Sequence, residues 1–131
     1  MKTLAILMLL ALAACASPEA ELAKRAPQTL AGMPKGELLA CAGVPARSAT
    51  APDGTEYLTY GRSQTNVHRD VDFEDSGWIP GLRRPEVSTW TTEYECVATF
   101  AVRQGRVVDL RYNDNRDIQL CYQMIGNCLR R

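Results

Sequence analysis

Five cysteines are the residues of this chain best suited to covalent chemistry, and their surroundings sort them into one and four. Cys15 closes the run Leu12-Ala13-Ala14-Cys15. Those four residues fit the bacterial lipobox, in which the thiol is acylated and cleavage leaves the cysteine as the first residue. Lys2 gives a positive start, and Leu4 to Leu12 is almost wholly apolar. A charged start, an apolar stretch and a small-residue exit make a secretory signal. The apolar run is shorter than the roughly 17–25 residues a spanning helix needs. We therefore expect a lipoprotein signal over residues 1–14 and a mature chain from Cys15 to Arg131, with diacylglycerol and an acyl chain such as palmitate on Cys15. Two or more such chains hold a protein stably at a membrane. Ala16 stands where Asp would signal inner-membrane retention, so the expected place is the outer membrane, facing the periplasm.

The other four, Cys41, Cys96, Cys121 and Cys128, suit an oxidising compartment. An even number in a small exported domain reads as two disulfides. A four-thiolate zinc site would bring its ligands in close pairs, and no CxxC occurs, so no metal is expected. If residues 118–129 form one continuous helix, Cys121 and Cys128 lie about 10.5 Å apart along its axis. That is too far to bridge, and each must then reach Cys41 or Cys96. If Gly126-Asn127 breaks the helix, Cys121 can close on Cys128, leaving Cys41 for Cys96. The second pairing is the preferred expectation.

The remaining candidates are weaker. His68 is the sole histidine, and Ser63, His68 and Asp70 could be written as a triad. No Gly-x-Ser-x-Gly elbow accompanies them, and a triad is defined by geometry, not nearness in sequence. Asp70, Asp72, Glu74 and Asp75 alternate like a calcium loop. Counted from Asp70, the sixth and twelfth positions hold Asp75 and Gly81, where such a loop needs Gly and Glu. Glu93 and Glu95 share a strand face and read as wet-face residues balancing Arg103, Arg106 or Arg111. No catalytic residue is assigned and no enzyme is expected. Trp78, Ile79 and Trp90, with Arg83 and Arg84 nearby, are the candidate partner surface, because aromatic anchors bury much area at low entropic cost.

These side chains need elements to hold them. Charge is balanced, with 15 Lys+Arg against 15 Asp+Glu, which excludes a general nucleic-acid binder. Residues 15–30 read as a lipidated N-terminus and tether, with Ser17-Pro18 able to open a short helix through Lys24 that Pro27 stops. Pro34 to Ala42 reads as a helix ended by Gly43 and Pro45, with Leu38, Cys41 and Ala42 inward. Asp53-Gly54 is a turn before a strand at 56–60. Residues 61–85 run without clear periodicity and read as a long loop. Val87 to Val102 and Arg106 to Tyr112 alternate as paired strands. A three-residue turn, Arg103-Gln104-Gly105, would pair Phe100 with Val108, Ala98 with Leu110 and Cys96 with Tyr112. A two-residue turn would set Phe100 against Asp109 and mix the faces, so it is rejected.

The order lipobox, spacer, Gly-Met helix, Gly-Val-Pro and strands resembles the SmpA/OmlA small lipoproteins, the BamE-like group. The residues that carry the likeness are Gly32-Met33, Glu37-Leu38, Leu39, Gly43, Pro45, Asp53-Gly54, Tyr60 and Gly105-Arg106-Val107. Pro34 departs from the group's Ser/Thr cap, and the four domain cysteines are not general features of it. The resemblance implies an α+β fold with helices packed on one face of a three-stranded antiparallel sheet. Here a C-terminal disulfide-tied segment would be added to a single domain over 31–131. It also implies a non-enzymatic outer-membrane role in barrel-protein assembly or envelope integrity, with a protein partner in the barrel-assembly machinery. The same small fold occurs in inhibitory binding modules, which gives the alternative.

Overall fold

A computed structural model describes residues 17–130, so Cys15 and its signal lie outside the described residues. Along the chain come α1 (Pro18–Thr29), α2 (Lys35–Ala42), β1 (Arg47–Thr50), β2 (Glu56–Asp75), β3 (Arg83–Arg103), β4 (Arg106–Tyr112) and α3 (Ile118–Leu129). The class is α+β, and the antiparallel sheet has four strands in the order β1-β2-β3-β4, not three. The added strand, β1, is exposed at every position, so it carries no apolar alternation for sequence to reveal. The chain divides into two compact units, a body (residues 17–62 and 95–130) and an arm (Ser63–Tyr94).

In the body, residues 18–29 are a packed helix and not a tether. Ala20, Ala23 and Ala26 are buried, and Leu30 follows them inward. Alanine at this spacing gives α1 a smooth, narrow face that lets α3 come close. Pro27 sits inside α1 and does not end it. A helical proline lacks the N–H that would bond the carbonyl four residues back. That carbonyl belongs to Ala23, and the Tyr112 hydroxyl donates to it at 2.8 Å.

Helix α2 forms as expected, with Pro34 as N-cap and Gly43 at φ 83° closing its end. Leu38 and Cys41 are buried and Ala42 packs against the core. Helix α3 is capped by Asp117, whose carboxylate accepts from the Gln119 and Leu120 N–H groups. It runs unbroken through Gly126-Asn127, since one internal glycine costs only about 1 kcal/mol. The preferred disulfide pairing is therefore corrected to Cys41–Cys128 and Cys96–Cys121, with Cα–Cα distances of 5.1 and 5.3 Å. One bridge ties α3 to α2 and the other ties it to β3.

The β3–β4 register is also corrected. The turn is two residues, Gln104-Gly105, both at positive φ (51° and 74°), which is the hairpin geometry that matches strand twist. Val102 then faces Val107, but Phe100 faces Leu110 and Ala98 faces Tyr112. The register shifts between Ala101 and Val102, leaving Val108 as the extra residue of a bulge, 48% exposed. This bulge removes the objection that a two-residue turn mixes the faces. Tyr60 and Phe100 meet edge to face at 5.6 Å in the centre of the core. The outer edge of β4 is covered by the α1–α2 link, where Gly32 and Lys35 N–H groups donate to the Val107 and Gly105 carbonyls. The Arg106 guanidinium returns a bond to the Gly32 carbonyl at 2.9 Å.

Candidate partner-binding arm

Residues 61–85 are not a loop. Most belong to two long strands, β2 to Asp75 and β3 from Arg83, joined by a short tip. Side chains alternate between the faces of a strand. Two contacts fix which residues share a face. The His68 and Trp90 rings stack at 5.3 Å and 13°. Arg83 lies 3.8 Å from Asp75, a loose pair between well-exposed groups. Even positions of both strands thus share one face, and odd positions share the other.

The tip is a closed turn. Ser76 N–H donates to the Leu82 carbonyl at 2.9 Å, and Leu82 N–H donates to Ile79 at 3.1 Å. The Ser76 hydroxyl donates to the same Ile79 oxygen. Gly77 and Gly81 adopt positive φ, which lets the chain reverse twice. The turn, held by these three hydrogen bonds, projects Trp78 at 93% exposure and Ile79 at 58%. A hollow of about 340 Å³ lies between Asp75, Gly77, Trp78, Ile79, Pro80 and Gly81. Of the sequence candidates, Trp78 and Ile79 come together here, and Arg83 and Arg84 enter β3 immediately after the tip. Trp90 stands apart, one face of its ring covered by His68.

The other candidate chemistries do not assemble. Ser63 and His68 are five residues apart on one strand, hence on opposite faces and about 16 Å apart. No triad forms. Asp70, Asp72 and Glu74 share a face of β2, but an extended strand cannot wrap carboxylates round an ion. No group of three potential metal ligands occurs among the described residues. The arginines expected opposite Glu93 and Glu95 are engaged elsewhere. Arg103 reaches Asp53 and Thr55, Arg111 pairs with Asp109 at 2.9 Å, and Arg106 holds Gly32. Glu95 accepts instead from the Asn113 amide.

Sequence reasoning missed the apolar row on the odd face. Val67, Val71 and Phe73 alternate with His68, Asp70, Asp72 and Glu74. That period of two is present in the sequence, interleaved with acids whose own spacing partly matches a calcium loop. Val71, Phe73 and Val87 are all more than half exposed.

Among the described residues, no helix is long and apolar enough to cross a membrane. Compared with known proteins, the chain matches no family profile, no curated protein and no solved structure.

Proposed function

We propose that this chain is a non-enzymatic lipoprotein of the outer membrane, anchored through acyl chains on Cys15, whose arm tip binds a protein partner in the envelope. The observation that carries the reading is Trp78, 93% exposed on a hydrogen-bonded turn with Ile79 beside it. A turn already closed by its own hydrogen bonds loses less entropy on docking than an open loop, and tryptophan is among the residues most enriched where interfaces hold tightest. The lipobox and Ala16 support the location. The SmpA/OmlA resemblance of the helix and hairpin motifs supports a role in barrel-protein assembly or envelope integrity, through BamE-like packing of helices on a sheet.

Affinity purification from detergent-solubilised membranes tests this, with Cys15→Ala and Trp78→Ala beside the natural chain. Barrel-assembly components should be recovered stoichiometrically with the natural chain and lost from both variants. Recovery of the lipoprotein alone would remove the assembly role. A second reading, an inhibitor-type module, is favoured by the same closed turn, which could be pressed into another protein's cleft. It predicts a soluble exported partner, recovered equally well with Cys15→Ala.

A further inference from the structure

We infer that the odd-numbered face of the arm is where a second copy of this chain binds, antiparallel and face to face. The inference goes beyond the partner reading and uses residues other than the tip. The row Val67, Val71 and Phe73 on β2, with Val87 on β3, is exposed on a two-stranded ribbon whose opposite face is strongly acidic. Asp70, Asp72 and Glu74 share that opposite face with Glu86, against a single nearby cation, Arg84. A copy meeting there would set like charges against each other, and an anionic bilayer would be repelled in the same way.

The apolar face instead carries charge in a pattern that complements itself. Arg69 lies two residues before Val71 and Asp75 lies two after Phe73, on the same face. A two-fold axis between the Val71 and Phe73 rows sets Val71 of one copy on Phe73 of the other. It also sets Arg69 on Asp75, and every such contact occurs twice, as an isologous interface requires. Among the described residues, Asp75 meets only the loose 3.8 Å approach of Arg83, so it is available. The area bounds the affinity. Nine residues on each of two strands cover about 300 Å² per copy, so roughly 600 Å² in all, well under half of the about 1,600 Å² that a standard stable interface buries. The dimer is therefore weak in solution.

Sedimentation velocity of the chain carrying Cys15→Ala, which lacks the acyl chains and the surplus thiol, reads this directly. A monomer–dimer equilibrium should appear between about 10 μM and 1 mM, as suits an interface below standard size. Phe73→Asp should weaken it at least ten-fold, with far-UV circular dichroism unchanged. Arg69→Asp alone should do the same, and Arg69→Asp with Asp75→Arg should restore it to within about three-fold of the natural chain. Asp72→Asn, on the acidic face, should leave it unchanged. A chain that stays monomeric to 1 mM, or a dimer indifferent to Phe73→Asp, overturns the inference. Failure of the charge exchange to restore association overturns the antiparallel arrangement. Because Trp78 lies outside the proposed contact, loss of partner recovery with Trp78→Ala bears only on the partner reading.

Discussion

At the scale of single residues, the most consequential side chain in the body is Tyr112. Its hydroxyl serves the one carbonyl of α1 that Pro27 leaves without an intrahelical donor. Burial pushes its pKa up to about 12, with Arg116 opposing the rise. Tyr112→Phe should cost about 1 kcal/mol, the usual worth of such a bond. The cost should shrink when Pro27→Ala supplies an N–H in its place, a coupling that a double-mutant cycle in urea measures. The pH dependence has a definite sign. The unfolded phenol ionises near 10 and the folded one near 12. Tyr112 therefore supports the fold fully below pH 10, and its contribution is lost as pH rises from 10 through 12. The urea midpoint of freshly mixed samples should fall in that window, and Tyr112→Phe should flatten part of the fall.

At the scale of elements, the two disulfides differ in what they constrain. Cys41–Cys128 spans 87 residues and Cys96–Cys121 spans 25. Loop closure alone makes them worth about 4.6 and about 3.5 kcal/mol. Replacing the first pair by alanine should thus lower stability by roughly 1 kcal/mol more than replacing the second, as read by chemical denaturation. In the β3–β4 turn, Gln104 is the non-glycine residue held at positive φ. Gln104→Asn should raise stability by about 0.5 kcal/mol, since asparagine tolerates that region and favours this turn. These elements also show where sequence was legible. Helix α2 and the inner strand segments could be read because Leu38, Cys41, Leu58, Tyr60, Ala98 and Phe100 repeat at the spacing of a buried face. The α1 core face is not legible because alanine is a weak apolar signal and Pro27 reads as a stop. The bulge at Val108 could not be read at all, since one extra residue changes pairing without changing composition. In the arm, the strand from Val87 is legible by its alternation, whereas 61–85 reads as a loop because most of its residues are exposed and no core-facing pattern runs through them.

At the scale of the whole molecule, the core and the candidate surfaces belong to different stretches of chain. Every residue of the hydrophobic core cluster lies before Ser63 or after Tyr94. Both disulfides do as well. A two-stranded ribbon exposed on both faces buries little, so the arm should contribute little to the stability of the body. The arm allows a clean excision. Thr59 and Thr99 hydroxyls meet at 3.4 Å, which sets β2 and β3 side by side within the body. Replacing Gln64–Tyr94 by Asn-Gly would close those two strands through a two-residue hairpin turn without moving any core residue to the wrong face. The shortened chain should fold, form both native disulfides on non-reducing peptide mapping, and melt within a few degrees of the natural chain. It should also lose both partner recovery and self-association. An excised chain that scrambles its disulfides would mean that the arm directs folding of the body. A chain that folds yet still captures the same envelope partner would move the binding surface onto the body. There the open sheet face around Tyr57, Thr99, Ala101, Asp109 and Arg111 is the next place to substitute.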